Sequence, residues 1–140
     1  MHSVNDYQVG GDHYAKGGDI QHWDFVELNG MGYLEGCATK YVTRWRFKNG
    51  KQDLEKAVHY ITKLIALHEP KVYNVLGVRF SFVRRNRTTL VPVISSRAFA
   101  DANQLTDTEF AVCHMLLHWT TADDLKMALE LVRGMLANDD

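Results

Sequence analysis

Two runs of helical periodicity meet at Asn49-Gly50, and this junction constrains the first half of the chain more than any other feature. Tyr33, Leu34, Cys37, Ala38, Tyr41, Val42 and Trp45 recur at spacings of three and four, which places them on one side of a helix over residues 33–48. Leu54, Ala57, Val58, Ile61, Leu64 and Ile65 form a second stripe over residues 52–68. Asp53 sits in the first turn of that helix, where the dipole favours an acid, and Pro70 prevents further propagation. A shorter helix is expected over residues 20–28, with Ile20, Trp23, Phe25 and Val26 apolar and Asn29-Gly30 as its stop. Residues 1–18 read as irregular, punctuated by Gly10-Gly11 and Gly17-Gly18.

Beyond Pro70 the period falls to two. Val72, Asn74, Leu76, Val78, Phe80 and Phe82 alternate as in a strand. Arg84-Arg85-Asn86-Arg87 is a polar break, and residues 90–94 form a β-branched run in which Pro92 suggests an edge strand. The simplest arrangement is an antiparallel hairpin of these two runs. Thr106 and Glu109 then have the spacing of a capping box, before an apolar helix reaching about Trp119. Thr121 caps a last helix striped by Leu125, Ala128, Leu129, Val132 and Leu136. The expected fold is α+β: a helical unit over residues 1–70, followed by a ββαα unit over residues 71–140. The boundary at Glu69-Pro70-Lys71 is too short for a flexible tether, so the halves should pack together.

Composition excludes several classes of function. The net charge is -1, so an anion site must come from local clustering and not from a global field. No stretch approaches the ~20 apolar residues of a membrane span. Residues 1–18 lack an apolar signal region, which predicts a cytosolic protein. Cys37 and Cys113 lie in different halves without metal spacing, and read as buried thiols. The chain carries no phosphate-binding P-loop, no nucleophile elbow and no zinc-binding H-E-x-x-H, and neither glycine pair follows a strand as a dinucleotide fingerprint requires. His114 and His118 share a helical face, but the partners a metal site needs are not evident, so no metal ligand is assigned.

The strongest chemical signal lies around Lys40. Lys40 and Arg44 are four residues apart and share a face, and Lys48 continues the row on a helix of the expected length. Three stacked cations repel one another and need acids or a bound anion. Asp53 and Glu55 could supply the acids across the turn, making the row a solvated, salt-bridged surface. The alternative is a phosphate site, with arginine as a planar fork and lysine as a point charge. His13-Tyr14, between the glycine pairs, offers a group that could donate to a phosphate or shuttle a proton. Trp23, Tyr41, Trp45 and Tyr60 read as core or interface aromatics, any of which could instead stack on a base.

Residues 12–64 resemble the phage nucleotide-kinase-like family. The family pattern is a His-Tyr pair, an acidic-apolar helix, then G-N-x-x-K-Y-x-x-R-x-x-x-K-x-G and D-L-x-K-A-x-x-Y-x-x-x-L. It falls here on His13, Tyr14, Gly36, Lys40, Tyr41, Arg44, Lys48, Gly50, Asp53, Leu54, Lys56, Ala57, Tyr60 and Leu64. Cys37 stands where the pattern has Asn. The resemblance implies a phage protein of the host-cell cytoplasm that phosphorylates deoxynucleoside monophosphates without a P-loop. It implies a nucleotide site formed by His13, Tyr14, Lys40, Tyr41, Arg44, Lys48, Asp53, Lys56 and Tyr60. Within that site His13, Lys40 and Arg44 would be catalytic, and Asp53 would orient Lys48 or Lys56 or hold a magnesium ion. Short helices enclose a nucleotide poorly, so a homo-oligomer is expected. Two alternatives stay open. One is a non-catalytic anti-defence protein that sequesters a host nucleotide signal, such as a cyclic one. The other is a module docking a host protein through residues 71–140.

Overall fold

The computed structural model describes residues 19–69, 71–82 and 91–138. They form α1 (His22–Leu28), α2 (Tyr33–Arg44), a short 3-10 turn (Trp45–Phe47), α3 (Lys51–His68), β1 (Lys71–Val75), β2 (Val78–Phe82), α4 (Ser96–Ala102), α5 (Asp107–His118) and α6 (Ala122–Asn138). The architecture is α+β, as expected, with the helices carrying the core.

Each predicted helix has a local cause that the structure makes visible. In α1 the Asp24 carboxylate accepts from the Gln21 amide at 2.9 Å, satisfying one of the backbone donors left over at the helix start. Gly36 lets α1 approach α2 closely: a Cβ there would lie 3.1 Å from Val26 Cγ1. The turn into α3 needs Gly50, whose φ of +59° disfavours a side chain. The capping box of α5 is present, with Thr106 Oγ1 accepting from the Glu109 amide at 3.1 Å and Glu109 Oε1 accepting from the Thr106 amide at 2.9 Å. Thr121 Oγ1 caps α6 by accepting from the Asp124 amide at 3.3 Å.

The four longest helices, α2, α3, α5 and α6, pack around one core. Val42, Leu54, Ala57, Ile61, Val112, Leu116, Leu117, Leu125, Ala128 and Val132 are fully buried there. This core draws residues from both sides of Glu69. At its edge Phe25 of α1 stacks on Phe99 of α4, with centroids 4.3 Å apart and planes 8° from parallel. Polar staples hold the same edge. The Asn103 amide donates to the Ile20 carbonyl at 2.8 Å. Two buried carboxylates take tryptophan N–H groups: Glu35 accepts from Trp119 Nε1 at 3.2 Å, and Glu109 accepts from Trp45 Nε1 at 2.7 Å and from Arg46 at 3.1 Å. Cys37 and Cys113 are both free and buried, and burial pushes the Cys113 thiol up to about 12.

The structure departs from the sequence reading in three places. First, α2 stops at Arg44, because residues 45–47 tighten into a 3-10 turn that brings Trp45 and Arg46 onto Glu109 of α5. Second, the hairpin lies wholly within residues 71–82. Val75 pairs with Val78 across a two-residue turn in which Leu76 and Gly77 both have positive φ, the conformation that matches strand twist. The turn keeps the alternation running, so one strand and two strands look alike in sequence. Third, residues 91–95 are not a strand. The amide of Asn29 takes both backbone groups of Ile94, donating to its carbonyl at 2.8 Å and accepting from its N–H at 3.0 Å. A side chain thus does what a neighbouring strand would do. The chain then enters α4, an unpredicted helix capped by Ser95 Oγ, so the described residues of the second half form a hairpin and three helices. No helix of the described residues is long and apolar enough to cross a membrane.

Candidate functional site

The outward face between α2 and α3 gathers most of the expected site residues. Tyr41 is its centre, a buried ring only 9% exposed. Lys40 Nζ lies 4.7 Å from the ring centroid, the Arg44 guanidinium carbon 4.8 Å and Lys56 Nζ 5.3 Å. Tyr60 of α3 stacks beside Tyr41, with centroids 5.7 Å apart and planes 24° from parallel. The ring quadrupole attracts each cation, but it does not neutralise any of them.

Asp53 is the carboxylate of this cluster, and it is fully buried. Arg44 grips it with Nε at 3.2 Å and Nη2 at 3.4 Å, and the Asn49 amide donates to it at 3.3 Å. The partner is therefore Arg44, where the resemblance had suggested Lys48 or Lys56. That engagement also leaves Asp53 poorly suited to hold a magnesium ion, because its oxygens already serve a guanidinium and an amide. Among the described residues no carboxylate pairs with Lys40 or Lys56. Among the described residues the face thus carries more cations than carboxylates. Lys48 stands beyond the end of α2, exposed in the turn before α3, so the α-helical row of cations ends at Arg44. His13 and Tyr14 lie outside the described residues.

His22, which the sequence did not single out, flanks the same cations from α1. Its Nε2 lies 2.8 Å from Thr39 Oγ1. The Thr39 hydroxyl also lies within hydrogen-bond distance of the carbonyls of Glu35 and Gly36, at 2.9 and 3.1 Å. Burial first, and then the positive charge of Lys40 and Arg44, lower this imidazole to about 3. His22 is therefore a neutral ring beside Lys40 and Arg44.

Tyr33 and Cys37 complete the face at the start of α2. Tyr33 is 76% exposed, and its ring stands edge-on to Tyr60 at 6.3 Å and 76°. Hydrogen bonding to the Cys37 thiol, and then to Tyr60, pushes its phenol up to about 12. Cys37 itself is buried, next to the aromatic cluster. The helical spacing of residue 33 from residues 37, 40 and 44 was the available sequence signal. An aromatic at such a position reads equally well as core.

The described cavities lie elsewhere. One of about 530 Å3 is lined by Trp45, Glu109, Leu131 and Met135, and one of about 430 Å3 by Lys126, Met127, Glu130 and Leu131. Neither includes a member of the cationic cluster. The rings of His114 and His118 lie tilted at 51° with centroids 4.6 Å apart, and Ser96 Oγ bonds His114 Nδ1. Among the described residues no third His, Cys, Asp or Glu joins them as a metal ligand.

Comparison with known proteins adds one finding about this face. No curated protein and no solved structure matches the chain. Residues 9–62, under half of the 140-residue chain, match the model of a family described as a protein of unknown function, DUF3310, and that stretch contains α1, α2, the cations around Tyr41 and Tyr60.

Proposed function

We propose that the α2–α3 face binds the phosphate of a nucleotide in the cytoplasm of a phage-infected host cell. The observation that supports this reading is the grouping of Lys40, Arg44 and Lys56 on the Tyr41 ring, with Asp53, bonded to Arg44, as the one carboxylate that joins them among the described residues. Such an arrangement is costly unless an anion completes it, since neighbouring like charges repel. A phosphate offers several acceptor oxygens to the two lysines, while Arg44 supplies a charge-assisted edge held in place by Asp53.

The reaction proposed for this site is phosphotransfer to a deoxynucleoside monophosphate, the activity that the family resemblance implies. Lys40 and Arg44 would offset charge developing on the transferred group, with His13 as donor or proton shuttle. A homo-oligomer belongs to this reading, because the face is open and pockets for nucleotides often form between subunits. Sequestration of a nucleotide without turnover is the second reading. It is favoured by Cys37, whose thiol is a weak donor where the family pattern has an amide.

The test is calorimetric binding of a panel of deoxynucleoside monophosphates, followed by turnover with a nucleoside triphosphate. Lys40→Ala and Lys56→Ala should each weaken binding by about 1.5–3 kcal/mol, the worth of a hydrogen bond to a charged group. Binding and product formation together support the kinase. Tight binding with release of unchanged ligand on heat denaturation supports sequestration. Affinity untouched by either lysine substitution makes the face a solvated surface.

A further inference from the structure

Among the exposed large apolar side chains of the described residues, Tyr33 is the most exposed aromatic, yet it is held in place. Its ring packs edge-on against Tyr60 at 6.3 Å and 76°. Tyr60 in turn stacks on Tyr41 at 5.7 Å, and Tyr41 carries the cations. The result is a continuous ladder, with an uncharged aromatic face at one end and positive charge at the other.

We propose that Tyr33 is the nucleobase platform of this site, with the base stacked on its open face and the phosphate held at Lys40. This rests on the nucleotide reading above. A ring exposed to this extent gains little from the core, and orienting it costs side-chain entropy. Its edge contact with Tyr60 leaves a free face of the kind on which a base stacks. From Tyr33 to Lys40 is two helical turns, about 10.5 Å along the axis, a span that a nucleoside carrying one or two phosphates can bridge. Cys37 lies between them, one turn from each end, where the sugar would pass. The ligand class is therefore amphipathic: a planar, uncharged ring joined to an anion. An inorganic phosphate or sugar phosphate would use only the cationic end. Stacking tolerates any base, so the platform confers preference for nucleotides over other phosphates and not for one base over another.

The experiment compares pyrophosphate, deoxyribose 5-phosphate and the four deoxynucleoside monophosphates by calorimetry, on the full chain and on Tyr33→Ala and Tyr33→Phe. Wild type should bind nucleotides more tightly than deoxyribose 5-phosphate. Tyr33→Ala should erase that preference, lowering nucleotide affinity by roughly 5- to 100-fold while leaving the two probes without a base unchanged. Tyr33→Phe keeps the ring and should keep most of the preference. A parallel loss for all ligands, or no loss for nucleotides, overturns the platform. If pyrophosphate binds wild type but nucleotides bind no better, the platform fails and the anion site stands. If neither pyrophosphate nor any nucleotide binds wild type, both fail.

Discussion

Arg44 and Asp53 form a buried ion pair on the cationic face, and replacing Arg44 separates its structural from its binding role. The Asp53 carboxylate has no exposure to solvent, while Arg44 retains 12%. Removing the guanidinium with Arg44→Ala leaves a buried carboxylate whose remaining side-chain partner is the Asn49 amide at 3.3 Å. Breaking a buried pair in this way costs about 3–5 kcal/mol, because the stranded charge stays out of water. Asp53→Asn should cost less, about 2 kcal/mol, since the long arginine stem can carry its charge toward solvent. The double variant removes both charges, so it should be less destabilised than the sum of the single variants by about 2–3 kcal/mol. Urea unfolding at pH 7, followed by far-ultraviolet circular dichroism, reads all four proteins. A cost below about 1 kcal/mol for Arg44→Ala, or strict additivity, would refute the account of the pair. The same cycle bears on function. Because Asp53 already offsets part of the Arg44 charge, anion affinity should depend more on Lys40 and Lys56. Arg44→Lys, which keeps a charge beside Asp53, is the variant in which to measure the loss of the planar fork.

Three further outcomes follow from named contacts. His22 is neutral in the folded chain down to about pH 3, whereas its ordinary value is 6.5. Above pH 6.5 both states are neutral and the ring adds no pH dependence. As pH falls from 6.5 toward 3 only the unfolded chain takes up the proton, so stability drops by roughly 1.4 kcal/mol per unit. Denaturation of wild type and His22→Gln at pH 7 and 5 should show a shallower loss for the variant, and identical slopes would exclude the linkage. Leu76 has a φ of +50° and is fully exposed in the hairpin turn. Leu76→Asn should relieve about 1 kcal/mol of left-handed strain, visible as slower amide exchange at Val75 and Val78; faster exchange would contradict the turn geometry. Cys37→Asn places an amide, which both donates and accepts, in the buried position four residues after Tyr33. It should raise any phosphotransfer rate more than it changes affinity, since transfer is sensitive to small misplacement and charge attraction is not. A fast wild-type enzyme slowed by the substitution would reverse that argument.

Features set by neighbours within a few residues were legible in the sequence. The stripes on α2 and α3 follow from helical period. The caps at Thr106 and Thr121 follow from the need to satisfy free amides, and the turn into α3 at Gly50 from a backbone that only glycine adopts cheaply. Lys40 and Arg44 could be placed on one face for the same reason. The tertiary structure decided whatever depended on a distant partner. Glu109 lies more than sixty residues from Trp45 and Arg46, and no local pattern foretells that it will end α2 at Arg44. Asn29 captures Ile94 across a similar distance, so a run with every local mark of a strand is paired by a side chain instead. The balance of charge at the site was decided the same way. Whether Arg44 faces Asp53, whether His22 packs against Thr39 beside Lys40, and whether Tyr33 keeps an open face all depend on how α1 and α3 dock onto α2. Docking angles come from core packing summed over many residues, and periodicity reports which side of a helix is buried but not what it is buried against.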